Sequence, residues 1–433
     1  MSIATSGFTA ESFETFLASR QEPGWLTDRR RAAWKLFEEL PMPSRADEEW
    51  MRTDIRLFRL DRFAFPSAEP AAAPELPDAL LKQGVDLAGS TVASDSRLIA
   101  SALDESLVKK GVRFGSLEDL ARDESQLVER HLFHVFNPAY DRFAALHAAA
   151  TSGGTILYVP KGVVIDRPLH TLNTISEGGV DTSHLLVVLD EGAEATLLSE
   201  TAGGGQTGFH CGAIELIVKP GAKLRYVNLQ NWSPGVWHFA HQKASVGRDA
   251  QLQWTIGALG SRLAKVNQHV ALVGPNAQTQ VNGVMFTEGK QHLTYNTLQH
   301  HEAPSCRSDL LYKGALQDKS RLVWRGMIKV DVGAQKTDGY QRNDNLMLSD
   351  ESRADSIPGL EIEADDVRCT HGATAGRVDE ESIFYLRTRG LTRNEAIRTY
   401  VAGFFQQVFD RITIESVRDA LGEAIGRRIR EYN

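Results

Sequence analysis

"GAEATLLSE" (192–200) and "GAKLRYVNLQ" (221–230) share one pattern, in which a turn residue and an alanine precede a run of alternating apolar and polar residues. The pattern returns in "DAQLQWTIGAL" (249–259) and "NAQTQVNGVMF" (276–286), so the turn residues are 29, 28 and 27 residues apart. Alternation is typical of strands, and a regular interval of this length indicates coils that bury their faces by stacking on one another. The sequence therefore predicts a mainly β protein with a right-handed parallel β-helix core; a large β-sandwich or cupin-like barrel is the alternative.

Changes in composition divide the chain into four regions. Residues 1–77 are expected to be helical and to end in the proline-rich linker "FPSAEPAAAPELP" (65–77). Residues 78–150 mix short strands with amphipathic helices. Residues 151–385 are predicted to form the β-helix core, and residues 386–433 a C-terminal helical domain.

The overall composition is that of a soluble globular protein, with 42% apolar and 24% charged residues. No run of eighteen apolar residues occurs, so no membrane-spanning helix is expected. A net charge of −8 argues against a nucleic-acid partner. The three cysteines are widely spaced and odd in number, so we expect a compartment that keeps thiols reduced, the cytoplasm. The familiar phosphate-loop, dinucleotide, zinc-protease and serine-hydrolase motifs are absent.

The C-terminal segment "LTRNEAIRTYVAGFFQQVFDRI" (391–412) is predicted to be an amphipathic helix. Thr392 and Glu395 have the spacing of a capping box at its start. We expect part of its apolar stripe to cover the open end of the coil stack, and the remainder to dock a partner protein. Four residues of this stripe are the predicted docking residues: Phe404, Phe405, Val408 and Phe409.

Cys369 and His371 lie two positions apart in "DDVRCTHGATAGRV" (365–378). If "EIEADDVRCTH" (361–371) is one strand, then Glu363, Asp365, Cys369 and His371 share a face. The two residues could then be a metal pair, a catalytic dyad or two ordinary residues near a strand end. A structural zinc site needs four ligands, and the sequence offers no further pattern that would complete one. Either another chain supplies the missing ligands, or no metal is held permanently here.

Three stretches resemble one known family. "YVPKGVVIDRPL" (158–169) is similar to the start of the β-helix core in the SufB/SufD family of iron–sulfur cluster assembly proteins. The segment 336–391, which contains "KTDGYQRNDNLMLSDES" and the stretch with Cys369, resembles the C-terminal signature of that family. "EPGWLTDRRRAAWKLFEELPMP" (22–43) with "EEWMRTD" (48–54) resembles its helical N-terminal region. The resemblance therefore covers nearly the whole chain.

Within this family the chain resembles the SufD branch. In "IFYLRTRG", Leu386 stands where the SufB branch has a cysteine, and leucine can neither ligate iron nor carry sulfur. The Cys-x-His-Gly-Ala-Thr form from Cys369 to Thr374 is also that of the SufD branch. The resemblance implies a non-enzymatic scaffold subunit that has no catalytic residues and no permanently bound cofactor.

The resemblance also implies two partners. SufB would pair with this chain through the β-helix, and the ATPase SufC would bind its C-terminal helices. ATP binding would draw two SufC subunits together and shift the SufB–SufD interface, where an iron–sulfur cluster forms transiently. His371 would ligate the cluster and Cys369 would be an auxiliary or a structural residue. The implied contacts with SufB are Cys369, His371 and Thr374.

Two other functions are compatible with the same sequence features. A β-helix carbohydrate-active enzyme would be secreted and would line a groove with acids and aromatic residues; this chain starts with no signal-peptide pattern, and its tryptophans are scattered. A purely structural homodimer could pair through the same edge of the β-helix without any cluster chemistry. We therefore retain both as alternatives.

Overall fold

Two long β-sheets wind together into one β-helix of about eight turns, and helices cover the outer face of each sheet. The computed structural model describes residues 7–66 and 76–429. The stretch 65–77, predicted to be a linker, therefore lies largely outside the described residues. Strands of consecutive coils pair in parallel, which confirms the predicted parallel β-helix over the sandwich and barrel alternatives.

The first sheet, called sheet A, has the strand order β2-β1-β5-β8-β10-β12-β14-β16-β18-β20. Its strands are β1 (Gly89–Ser94), β2 (Arg97–Leu103), β5 (Leu169–Ile175), β8 (Glu194–Gly203), β10 (Lys223–Trp232), β12 (Gln251–Ala258), β14 (Gln278–Thr287), β16 (Arg307–Leu316), β18 (Thr337–Met347) and β20 (Val367–Arg377).

The second sheet, called sheet B, has the order β19-β17-β15-β13-β11-β9-β7-β4-β3, with β6 also paired to β9. Its strands are β3 (Arg113–Ser116), β4 (Thr155–Val159), β6 (Val180–Asp181), β7 (His184–Leu189), β9 (Gly208–Val218), β11 (Val236–Val246), β13 (Leu263–Leu272), β15 (His292–His301), β17 (Arg321–Val330) and β19 (Arg353–Ile362). From β8 onward the chain alternates between the sheets, so each coil adds one strand to each.

The repeated turn residues form a column along one corner of the β-helix. The backbone is left-handed at each of them, with φ between 57° and 69°. Each donates its N–H to a carbonyl of the next coil's turn, for example Gly192 to Pro220 and Asn276 to Pro304. Glycine, aspartate and asparagine tolerate this conformation best, which explains the first four turns. The column continues through Ser305 and Lys336, two turns that the sequence pattern does not mark.

Nine helices lie within the described residues. They are α1 (Ala10–Ala18), α2 (Gly24–Glu39), α3 (Glu105–Lys109), α4 (Leu117–Asp123), α5 (Ser125–His131), α6 (Arg142–Ala150), α7 (Glu380–Thr388), α8 (Arg393–Phe409) and α9 (Glu415–Arg428). A short 3-10 turn, Leu60–Arg62, follows α2. No helix of the described part is long and apolar enough to cross a membrane.

The N-terminal helices and α6 pack on the outer face of sheet B. An aromatic cluster joins them to it: Phe13 stacks on Trp34 with ring centroids 4.5 Å apart, and Phe143 stacks on Phe239 at 3.9 Å. Burial of such rings is the main favourable contribution to this contact.

The C-terminal helices pack on the outer face of sheet A. The predicted capping box is present at the start of α8, where Thr392 accepts from Glu395 N–H and Glu395 caps Thr392 in return. Phe405 lies against apolar residues of β14 and β16. The expectation that this stripe covers the open end of the stack is wrong, because the helices lie along the side of the β-helix instead. The last strand ends at Arg377, so the predicted start of the helical domain at residue 386 falls inside α7.

The two ends of the β-helix differ. At the N-terminal end the outermost strands, β2 and β3, are antiparallel to their neighbours, and Leu107 of α3 packs into the core there. At the C-terminal end the outermost strands are β19 and β20, each paired on one side only within the described residues. We call this end, formed by β19, β20 and the turn between them, the open end.

Candidate functional site

Cys369 and His371 lie on β20, the outermost strand of sheet A at the open end. Side chains alternate along a strand, so the two share the face that looks toward sheet B. Cys369 packs with Val367 against Ile328 and Val330 of β17. His371 is exposed. The structure thus brings the two predicted residues together at the mouth of the β-helix bore.

The condition that residues 361–371 form one strand is not met. β19 ends at Ile362, and residues 363–366 form the turn that leads into β20. Glu363 and Asp365 are therefore turn residues and do not extend the strand face of Cys369 and His371. The strand is interrupted because the last coil turns a corner at residues 363–366, and no glycine in the sequence marks this turn.

Apolar side chains of β19 complete the open end. Leu360 pairs in register with Ile328, and Ile362 pairs in register with Val330, both of which are buried. In-register neighbours project to the same side, so Leu360 and Ile362 continue the apolar interior into solvent. Their exposed fractions are 37% and 39%. An apolar interior that ends exposed beside two unpaired strand edges is typical of a pairing surface.

The Cys369 thiol is half-buried, and its pKa is raised mainly by that burial. A hydrogen bond from the backbone of Gly339, the in-register neighbour on β18, opposes the shift, and Asp338 adds to it. A Cβ at position 339 would lie 3.2 Å from Sγ, so glycine leaves room for the sulfur. The thiol is therefore protonated at neutral pH and would ligate a metal only after losing its proton.

A buried glutamine lies next to His371. Gln341 pairs in register with His371, and its side-chain amide donates to the Gly359 carbonyl of β19 at 3.0 Å. This bond links the two outermost coils across the bore. The Oε1 atom of Gln341 is buried and has no hydrogen-bond partner among the described residues. The strand paired with that of His371 is thus joined to the other sheet by a polar contact.

Thr374, the third predicted contact with the partner, lies on the opposite face of β20. Its Oγ1 donates to Asp344 Oδ1 at 2.7 Å. Asp344 is also paired with Arg342 at 3.0 Å and with Lys313 at 3.8 Å. Lys313 in turn donates to the Phe404 carbonyl of α8 at 2.9 Å. Thr374 therefore does not join Cys369 and His371, and it connects the open end to the C-terminal helices.

The four aromatic and aliphatic residues predicted to dock a partner are mostly core residues. Phe405, Val408 and Phe409 are buried against sheet A. Phe404 is partly buried, and the Lys313 ammonium lies 4.7 Å from its ring centroid. The prediction that Phe405, Val408 and Phe409 form a docking surface is therefore wrong, because the outer face of sheet A already covers them.

An exposed aromatic pair lies instead on α7. Phe384 is 66% exposed and Tyr385 is 57% exposed, and the Arg389 guanidinium lies over the Tyr385 ring. The neighbouring Ile383 is buried, so the helix turns these two rings outward. Sequence reasoning missed them because the tract was read as the end of the β-helix. Asp379, which caps α7 by accepting from the N–H groups of Glu381 and Ser382, was the available signal.

The other two cysteines are structural. Cys306 is fully buried and follows the turn residue Ser305, the position that alanine occupies in earlier coils. Cys211 is buried and donates to the Phe143 carbonyl. Within residues 7–66 and 76–429, no three histidine, cysteine, aspartate or glutamate side chains come together as a metal-ligand group.

Two family models together match residues 12–404 of the chain. A family model described as "SUF system FeS cluster assembly, SufBD core domain" matches residues 171–404, and one described as "SufBD protein N-terminal region" matches residues 12–171. An iron–sulfur cluster assembly SufBD family protein of Staphylococcus haemolyticus is 27% identical, with 94% of this chain and 90% of the relative covered. Similar proteins of Staphylococcus epidermidis (27%) and Staphylococcus aureus (26%) have the same coverage.

Proposed function

The chain belongs to the SufBD family of iron–sulfur cluster assembly proteins, and from that premise we propose that it is a SufD-like, non-catalytic subunit of an assembly complex. In this complex it pairs with SufB and binds the ATPase SufC. The family membership removes the support for a carbohydrate-active enzyme. A cytoplasmic location is part of the proposal, and the three unpaired cysteines support it.

The observation that carries the proposed pairing is the open end. Within the described part of the chain, β19 and β20 each have one backbone edge without a paired strand, and the apolar side chains of Leu360 and Ile362 are exposed at this end. A second β-helix of the same family can add its own edge strands to both sheets at once, which satisfies backbone groups and buries the apolar side chains. We propose SufB as this partner; a second copy of this chain is the alternative occupant.

His371 is the proposed ligand for the cluster, which is the cargo of the complex. It is exposed on the open end, so a partner docked there would lie against its imidazole. Cys369 lies two residues away on the same face and is the auxiliary ligand in this proposal. Iron in such clusters takes four ligands, so the remaining ones would come from the cluster's sulfides and from SufB thiolates. In this proposal the cluster is held only transiently, because Cys369 and His371 cannot complete its ligand set by themselves.

The proposed SufC surface is centred on α7. Phe384 and Tyr385 are large, exposed and adjacent, as residues at the centre of an interface commonly are. From α8, the Phe404 carbonyl reaches Thr374 of β20 through Lys313 and Asp344. A shift of the C-terminal helices when SufC binds ATP would be transmitted through these contacts to Thr374. Thr374 therefore has a positioning role in the proposal.

The direct test is anaerobic co-purification with SufB and SufC, followed by iron and sulfide analysis with and without ATP. His371→Ala should leave the complex intact but reduce the iron and sulfide that it retains at least about ten-fold, since one protein ligand is lost. His134→Ala, which removes an exposed imidazole far from the open end, is the matched control. Normal cluster assembly by His371→Ala would overturn the ligand role, and absence of SufB from the purified complex would overturn the pairing.

A further inference from the structure

A cavity of about 310 Å³ lies between the α1–α2 connection, the start of β2 and α4. Three arginines from these three elements line it: Arg20, Arg97 and Arg122. Two glutamates, Glu22 and Glu118, line it as well. The cavity lies near the N-terminal end of the β-helix, away from the open end.

Both glutamates are already engaged by other groups. The Glu22 carboxylate accepts from Arg30 Nε at 2.9 and 3.0 Å, and Arg30 is buried behind the cavity. Glu118 Oε1 accepts from Arg20 and from the Gly153 N–H at 2.7 Å. Neither acid is therefore free to neutralise a further cation.

Two of the three arginines also have partners. Arg20 pairs with Glu118 and donates to the Ser152 hydroxyl. Arg122 pairs with Asp119, a neighbour on α4 that does not line the cavity. Arg97 is different: its side chain is only partly buried, but its Nη1 atom is buried and has no hydrogen-bond partner within residues 7–66 and 76–429.

The charges that face the cavity therefore do not balance. The α1–α2 connection contributes Arg20 and Glu22 to the cavity, and β2 contributes Arg97. Helix α4 contributes Glu118 and Arg122. The excess positive charge belongs to Arg97, whose buried N–H is unsatisfied. A buried charged donor without an acceptor is costly, and three guanidinium groups around one space repel one another. An anion in the cavity removes both costs.

We propose that this cavity binds a small phosphate-bearing molecule, a site separate from the cluster chemistry of the open end. Arg97 would bind the phosphate with its planar fork of N–H groups, which matches two phosphate oxygens. Arg122 adds positive charge, and Gln21 also lines the cavity. The volume is large enough for a phosphate on a small organic group. Binding would tie the N-terminal helices to β2 and α4.

The test is thermal unfolding of the full chain during titration with inorganic phosphate, in buffers brought to equal ionic strength with potassium chloride. Phosphate should raise the Tm of the wild-type protein. In Arg97→Gln the apparent phosphate affinity should fall about ten-fold or more, because the charge-assisted contact of the guanidinium with two phosphate oxygens is lost. Arg427→Gln, which removes an exposed arginine of α9, should respond like the wild type.

Glycerol phosphate and citrate are the further arms. Tighter binding of glycerol phosphate than of inorganic phosphate indicates a phosphorylated organic ligand, and equal binding indicates free phosphate; both support the site. An equal response to citrate, or no phosphate effect beyond that of chloride, overturns it. Should Arg97→Gln not fold, hydrogen exchange of the wild-type protein decides: phosphate must slow exchange at residues 19–26 and 118–122, and unchanged exchange there contradicts the proposal.

Discussion

The turn column shows how single residues determine the coil geometry. Six turn residues are left-handed at one corner, yet their identities change along the stack from glycine through aspartate and asparagine to Ser305 and Lys336. A side chain with a Cβ pays a conformational cost in this region, and asparagine pays less than lysine. The last coils therefore hold more backbone strain than the first, next to the strand that carries Cys369 and His371.

Lys336→Gly should stabilise the protein. Lys336 has a φ of 60° and its N–H still bonds the Asp366 carbonyl, so glycine keeps the contact and removes the cost. We expect the free energy of unfolding to rise by about 1 kcal/mol, after the larger entropy of glycine in the unfolded chain is subtracted. Asn276→Gly is the comparison and should not stabilise the protein, because asparagine tolerates this conformation and its Nδ2 donates to Asp249 Oδ1. Urea unfolding measures both, and a destabilised Lys336→Gly would contradict the strain argument.

At the scale of elements, the adjacent helices α7 and α8 have different roles: α8 packs on the β-helix, and α7 exposes an aromatic pair. α8 buries Phe405 and Val408 against sheet A and so fixes the helices to the β-helix. α7 turns Phe384 and Tyr385 away from that contact. The division follows from packing, since α8 lies directly on β14 and β16 whereas the main contact of α7 is with α8.

The double substitution Phe384→Ser with Tyr385→Ser should weaken SufC binding at least about ten-fold, since two exposed aromatic contacts are lost. Its free energy of unfolding should stay within about 0.5 kcal/mol of the wild type, as for most surface changes. Titration calorimetry and urea unfolding give the two readouts.

Phe405→Ala is the contrasting variant. It empties a fully buried site and should cost about 3–5 kcal/mol of stability. Unchanged SufC binding by the α7 double variant would show that the partner docks elsewhere. A small stability loss in Phe405→Ala would show that α8 is not fixed by its core contacts.

At the scale of the whole molecule, the β-helix is asymmetric. Antiparallel strands β2 and β3 terminate the sheets at one end, whereas β19 and β20 leave parallel edges at the other. The side of sheet A is covered by α8 and α9, and the side of sheet B by α2 and α6. Association through sheet edges is therefore directed to the open end.

Leu360→Lys combined with Ile362→Lys should abolish pairing at the open end. Each lysine would place a charge in an apolar contact, where an unpaired cation is strongly unfavourable. Leu57→Lys, at a residue 72% exposed in the N-terminal region, is the control and should not affect pairing. Light scattering of the chain alone and mixed with SufB distinguishes a homodimer from a heterodimer. A complex that survives the double lysine variant would exclude the open end as the interface.

Much of the candidate site could be predicted from sequence, because its key feature is local. Cys369 and His371 are two apart on a strand, so their shared face follows from strand geometry alone. Thr374 was grouped with them, and its separation to the opposite face also follows from alternation once β20 is known. Its link to Asp344 and Lys313 spans 30 and 61 residues of sequence and could not be predicted, because it depends on how coils stack.

What the sequence by itself determined is the coil: turn residues that accept a left-handed backbone, a small buried residue after each, and alternating strands at a steady interval. These are local properties of consecutive residues. Only the tertiary structure decided which surfaces remained available. The apolar stripe of α8 became core because sheet A lies beneath it. Phe384 and Tyr385 became surface because they lie on the face of α7 that the described chain leaves uncovered. The Arg97 Nη1 atom was left without a partner where three elements meet. Burial depends on what packs against a residue, and that partner is distant in sequence.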